Sequence, residues 1–411
     1  MKIQRCKGMR DLTPDEMNVF HYIQGIYRDC FLKWGYREVR TPTIEYMHLF
    51  TSAGTLTPAM LGKVYSFLDW DGWSGERVVL RPDGTIPVAR MYVDKLQGRG
   101  LARLFYTANT FRFEESGKQT RERWQCGAEI IGAGSAIADG ELIDLSTEIL
   151  KKLGVNAEIR LSHAGLIKTI LAKLRLSPDE QHKVFDKILD GDAKALARIG
   201  KESPGLYDSL LPLLSVKGQT AGFLKERQAL LRRDIPEIGA PLDDFLKTIN
   251  VLDELDVKYQ INIASGAEFE YYTGMIFQLY AGKEKIGGGG RYDALVRSMG
   301  GGDIPASGFA LYIDRLMKLV RPDRLTLSED KKVLIKMSSA DMVGEAFKAA
   351  ESLRKAGYTA EIDLDGQQAE WVLEIKSGAP AYILTSKRKS VKVGADTVDK
   401  IIRVLEGRGG N

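Results

Sequence analysis

EFEYYTGMIFQLYAGKEKIGGGGRYDAL, residues 268–295, sets the character of the chain. Ile276–Tyr280 reads as a strand, after β character at Tyr259–Ile263. Four consecutive glycines follow, Gly287–Gly290, ahead of Arg291-Tyr292-Asp293. Such a run costs backbone entropy, so some part of the fold must need close backbone approach there. It is not the G-x-G-x-x-G that opens a helix in a βαβ unit, and no Walker lysine follows it. Adjacent tyrosines on a strand point to opposite faces. Only one of Tyr271 and Tyr272 is therefore expected to face a given pocket, and two tyrosines beside a glycine turn are more often core than ligand-binding.

Three more segments carry candidate chemistry. In LRPDGTIPVAR, residues 80–90, a strand exits through Pro82 and places Asp83 and Thr85 at a turn enforced by Gly84. A carboxylate there, beside backbone amides and two arginines, could hold an ammonium group. A strand-ending turn whose aspartate bonds its own backbone has the same sequence signature. In FRFEESGKQTRERWQCGAE, residues 111–129, two strands flank a loop with Arg112, Lys118, Arg121 and Arg123. Arginine forks match phosphate oxygens, although a solvated hairpin tip has this composition too. Gln125 and Glu129 alternate on the return strand and share a face. In GFALYIDRLM, residues 308–317, a strand or turn passes into a helix carrying Asp314 and Arg315, as an ordinary amphipathic helix also would.

The remaining sequence bounds the architecture. At 411 residues the chain is too long for one ordinary core and suggests two domains. With 44% hydrophobic and 28% charged residues it is a normal soluble composition, and its net charge of +4 is no nucleic-acid footprint. Cys6, Cys30 and Cys126 form no C-x-x-C pair, and His21, His48, His163 and His182 lack metal spacing, so neither a disulfide framework nor a metal site is expected. No apolar stretch reaches the length of a membrane span, and a cytoplasmic protein is expected. Residues 13–34 predict a helix capped by Thr13, and 138–154 another. Strands are predicted at 37–40, 77–80, 101–107 and 127–132. Leucine-rich segments over 165–255 read as a helical insertion with its own small core. After a polar linker, residues 331–411 alternate β and α, with a helix near 367–376, and predict a small, mostly parallel α/β domain.

Taken together and in order, GMRD at 8–11, WGYREVRTPTIE at 34–45, LRPDGT, FRFE, YYTG, GGGGRYD and GFALYIDRL resemble histidyl-tRNA synthetase over nearly the whole chain. The resemblance implies an α+β fold: a class II synthetase-type antiparallel sheet with flanking helices over residues 1–325, a helical insertion at 165–255, and a shortened anticodon-binding-like α/β domain at 331–411. It also implies motif 1 ending at Pro42 in a homodimer interface, motif 2 at 111–129 gripping ATP, motif 3 at 308–317, and a histidine pocket lined by YYTG and GGGGRYD.

The chain departs from the enzymes at four places. The family's R-G-x-x-YY reads A-E-F-E-YY, with Ala267 where an arginine helps activate the histidine carboxylate; losing a preorganised donor of that kind costs about 10²–10³-fold in rate. Tyr312 replaces the motif 3 glycine that lets backbone approach the nucleotide. The motif 2 loop is one residue short and lacks the Pro-Gln and Gly-Arg dipeptides. RPEGT reads RPDGT. The losses fall on the activation side, while Asp83, Thr85, Gln125, Glu129, Tyr271 and Tyr272 remain as histidine-binding candidates, with Arg112, Arg121 and Arg315 as residual ATP-site positions. This pattern is similar to the synthetase-like regulatory subunits of ATP phosphoribosyltransferase, which commonly read RPD. That resemblance implies a non-catalytic histidine sensor with no cofactor, partnered by the short-form catalytic subunit and binding free histidine. The alternative is a histidine–tRNA ligase using ATP and Mg2+ and binding tRNA.

Overall fold

The computed structural model describes residues 3–52, 61–70, 75–114, 120–172, 177, 217–219, 221–263, 271–320, 332–386 and 391–407. They divide into two compact units, Met1–Arg324 and Leu325–Asn411.

The first unit opens with α1, Pro14–Lys33, where Thr13 and Glu16 form a reciprocal capping box. Its buried face is Phe20, Ile23, Tyr27, Cys30 and Phe31. There follow β1 (Arg37–Glu38), β2 (Ile44–Tyr46), α2 (Met47–Ser52), β3 (Ser66–Trp70), β4 (Gly75–Leu80) and α3 (Thr85–Met91). Next come β5 (Ala102–Phe111), β6 (Glu122–Ile131), α4 (Ala136–Lys152), β7 (Glu158–His163), α5 (Ala164–Ala172), β8 (Lys217–Gln219), α6 (Ala221–Asp234) and α7 (Gly239–Glu254). β9 (Gln260–Asn262), β10 (Met275–Ala281), β11 (Glu284–Arg291), α8 (Ala294–Ser298), β12 (Ala306–Tyr312) and α9 (Ile313–Leu316) complete the unit.

Nine strands among the described residues form one sheet in the order β1-β5-β6-β12-β11-β10-β7-β9-β8. From β5 to β7 every neighbour is antiparallel, while β1 joins β5 and β9 joins β7 in parallel. The antiparallel sheet with flanking helices read from the sequence is therefore present. The strand expected at 77–80 lies elsewhere, in a three-stranded sheet ordered β2-β4-β3.

The helical stretch does not keep a core of its own among its described residues. Leu224 and Leu231 of α6, and Leu242, Phe245, Ile249 and Leu252 of α7, share one buried cluster with α1, α4 and the sheet. An amphipathic period shows that a helix buries one face, not which partner that face meets. Residues 178–216 of that stretch lie outside the described residues.

The second unit contains β13 (Lys332–Met337), α10 (Val343–Lys355), β14 (Thr359–Ile362), β15 (Trp371–Ile375), β16 (Tyr382–Ser386), β17 (Val391–Ala395) and α11 (Val398–Leu405). Its sheet runs β14-β13-β15-β16-β17 and is mixed, parallel in the first three strands and antiparallel in the last two pairings. Two expectations are corrected here: the domain is not mostly parallel, and the helix expected near 367–376 is β15. Trp371, Leu373 and Ile375 are buried while Val372 and Glu374 are not, a period of two. A five-residue run is too short for periodicity to separate strand from helix.

Candidate functional site

The turn after β4 is built around Arg81. Its buried guanidinium donates to the carbonyls of Thr41 (2.8 Å), Pro42 (2.9 Å) and Asn109 (2.7 Å), and to Asn109 Oδ1 (2.9 Å). One side chain thus ties the turn after β4 to the Thr41-Pro42 segment and to β5. Asp83 follows in the turn and accepts a 2.8 Å hydrogen bond from the Ile86 amide. The expected self-bonded aspartate is therefore real, and the carboxylate also reaches a cleft. Gly84 is not needed for its backbone angles, which are ordinary right-handed values. It is needed for space, because a Cβ there would collide with Tyr106 and Gln125.

Asp83, Thr85, Gln125, Tyr271 and Tyr272 line one cleft. Strand register explains the β6 contribution. Gln125 pairs with Tyr312, Gly127 with Ala310 and Glu129 with Gly308, so alternate residues of both strands share the cleft face. Glu129 lies behind Gly308, fully buried, and accepts hydrogen bonds from the Tyr106 hydroxyl (3.3 Å) and the Tyr292 hydroxyl. Any Cβ on Gly308 would land on the Glu129 carboxylate. The glycine run has the same logic: Cβ atoms on Gly289 and Gly290 would collide with the Gly308 and Met275 carbonyls, so close backbone approach is what this strand requires.

The tyrosine pair corrects the strand argument. β10 begins only at Met275, so Tyr271 and Tyr272 sit in a turn where period-two alternation does not hold, and both line the cleft. Tyr271 packs edge-on against Tyr292, with ring centroids 5.6 Å apart.

The electrostatics are unusual for two neighbouring carboxylates. Burial pushes Asp83 up to about 6, against the Ile86 amide and the Arg112 charge. Burial likewise pushes Glu129 up to about 8, against hydrogen bonds from Tyr292, Thr85 and Tyr106, and Asp83 raises it further. Burial holds Tyr106, Tyr271, Tyr272 and Tyr292 well above the ordinary tyrosine range, so they serve as neutral donors. Burial disfavours the charged form of both carboxyls, and a cation entering the cleft would favour it.

The three arginine candidates behave differently. Arg112 meets the backbone carbonyl of Arg121 through its amide, and its charge acts on Asp83. Arg121 spends its guanidinium on the Glu114 carbonyl (2.7 Å from Nε) and lies over the Phe113 ring at 4.6 Å. Arg315 donates to the Lys285 carbonyl and stacks over Tyr312 at 5.0 Å. Tyr312 itself lines the cleft. Ala267 and residues 115–119 of the motif 2 loop, Lys118 included, lie outside the described residues.

The sequence reading did not single out Tyr106, Gln278 or Lys285, which complete this environment. Tyr106 was legible only as one inward position of a strand. Arg291 of the GGGGRYD segment proves to be a buried anchor: it donates to Asp139 on α4 and to both Asp244 oxygens on α7 (2.9 Å), with His163 also on Asp244 at 2.9 Å. Burial works against ionisation of Asp244, but the His163 and Arg291 hydrogen bonds outweigh it and hold that carboxyl at about 2. Among the described residues no group of three or more His, Cys, Asp or Glu could hold a metal ion, and no helix is long and apolar enough to cross a membrane.

The histidyl-tRNA synthetase family profile matches residues 8–316. An ATP phosphoribosyltransferase regulatory subunit of Dehalococcoides mccartyi is 51% identical, covering 98% of this chain and 99% of its own length. A histidine–tRNA ligase of Methanocaldococcus jannaschii is 30% identical, covering 97% and 95%. Among solved structures, an ATP phosphoribosyltransferase regulatory subunit/histidyl-tRNA synthetase from Bacillus halodurans superposes with a TM-score of 0.75 at 24% identity, covering 90% of this chain and 94% of that one.

Proposed function

The chain belongs to the histidyl-tRNA synthetase family, and from that premise we propose that it is the histidine-sensing regulatory subunit of an ATP phosphoribosyltransferase, acting at the first step of histidine biosynthesis. The observation that carries this reading is the end-to-end 51% identity to a relative of that name, against 30% for a ligase over the same span. Non-catalytic status on its own follows from the same relationship. The side chains agree with it: Tyr312 stands in the cleft, and Arg121 and Arg315 are engaged by the chain's own carbonyls.

Free histidine is the ligand. Its ammonium pairs with Asp83 and Glu129, and Gln125, Thr85, Tyr271 and Tyr272 add hydrogen-bonding groups around it. The partner is the short-form catalytic subunit, and the setting is the cytoplasm. A homodimer forms through the motif 1 region. In support of it, Ile44, Tyr46, Phe67, Leu68 and Trp70 leave large apolar surface exposed on the small sheet that follows Thr41-Pro42, the kind of patch that marks an interface. Arg81 connects that segment to the turn bearing Asp83.

Histidine occupancy regulates only if it binds one state of the complex better than the other. The test is partner activity against histidine concentration, with wild-type and Asp83→Ala subunits. The variant should leave the complex assembled and raise the inhibitory histidine concentration about tenfold or more, since a hydrogen bond to a charged group contributes about 1.5–3 kcal/mol. Equal histidine inhibition of the partner without this chain refutes the reading.

A further inference from the structure

The cleft has a cationic end that neither the motifs nor the comparisons assign. Lys285 lines it, and the reason is a break in strand alternation. Gln278 pairs with Gly288 and Leu279 with Gly287, but Tyr280 then pairs with Lys285, so the register slips by one residue and Ile286 is left without a partner in the ladder. Regular alternation would set Ile286 on the cleft face with Gly288 and turn Lys285 away. Instead Ile286 is fully buried in the main core, on the opposite face. Lys285 takes the face shared by Gln278 and Tyr280. A bulge of this kind re-aims a side chain. Arg315 fixes the bulged backbone by donating to the Lys285 carbonyl.

The placement gives the cleft polarity. Glu129 belongs to the cross-strand row Glu129-Gly308-Gly290-Ile276, and Asp83 joins that end from its turn. Lys285 enters at the row of Tyr280, four residues further along β10, or about 13 Å at roughly 3.3 Å per residue. A lysine side chain directed along the cleft would shorten that gap toward the length of a small zwitterion. Carboxylates at one end and an ammonium at the other complement a free amino acid, whose own charges run the opposite way.

We propose that Lys285 binds the α-carboxylate of the histidine held in this cleft, making the site selective for the free amino acid over analogues without that group. The assignment rests on the histidine reading above. A charge-assisted pair of this kind is directional and stronger than a neutral one.

The experiment is calorimetry on the full chain with histidine and with histidinol, which keeps the ammonium and imidazole but lacks the carboxylate. Lys285→Met should weaken histidine binding about ten- to a hundredfold and leave histidinol binding within about twofold. Lys285→Arg should retain most of the histidine affinity. Thermal melting of each variant checks folding, and a shared loss for both ligands in a folded Lys285→Met chain overturns the role, as does unchanged histidine affinity. If the unsubstituted chain binds neither ligand, the histidine reading itself falls and the Lys285 role with it. If it binds both and only the variant result is contrary, the Lys285 assignment alone fails.

Discussion

Glu129 should make the stability of the ligand-free chain fall as pH rises, and Glu129→Gln should remove most of that fall. Folding raises this carboxyl from about 4.5 to about 8, chiefly by burial. Between those values the folded chain holds a proton that the unfolded chain has released. Stability contributed by the protonated form is thus present at low pH and is lost as pH climbs towards 8. At 1.36 kcal/mol per pH unit, the change from pH 5 to 8 amounts to about 3 kcal/mol for this one group. Asp83 has the same sign but is raised only to about 6, and it contributes about 1 kcal/mol over the same window. Glutamine keeps the size of the side chain and cannot ionise. It also presents an amide nitrogen to one of the two tyrosine hydroxyls that donate here, so its absolute stability will drop. The informative quantity is therefore the pH slope. Urea unfolding at pH 5, 6, 7 and 8 should show wild type losing about 3 kcal/mol more than the variant across that window. Parallel losses would refute the argument that burial keeps Glu129 protonated. The same argument predicts that histidine binding near pH 7 releases a proton, because the incoming ammonium favours the ionised carboxylate.

Gly308→Ala would put a methyl group onto the Glu129 carboxylate; overpacking of this kind costs about 1–3 kcal/mol, and chemical denaturation together with loss of histidine binding should report it. Histidine-dependent ATP–pyrophosphate exchange by the purified chain should stay at background, and a robust rate would return the chain to the ligase reading.

The order of seven short segments was legible without a structure, and with it the family, the antiparallel α+β sheet and five of the residues that line one cleft. Local rules sufficed where the cause was local: Thr13 and Glu16 close their own capping box, and Gln125 and Glu129 share a face because strand side chains alternate. Only the tertiary structure decided the rest. Tyr271 and Tyr272 both line the cleft because the chain is turning there, and Lys285 enters it because the ladder slips by one residue, an event fixed by the pairing of β10 and β11. Residues 371–375 became a strand through their neighbours in the sheet, and α6 and α7 joined the main core because that was where apolar surface remained to be covered. The protonation of Asp83 and Glu129 was equally invisible in the sequence. A carboxyl's charge state depends on how much water the fold removes from around it, and burial of that kind is a property of the assembled sheet, its glycines and its tyrosines rather than of any segment alone.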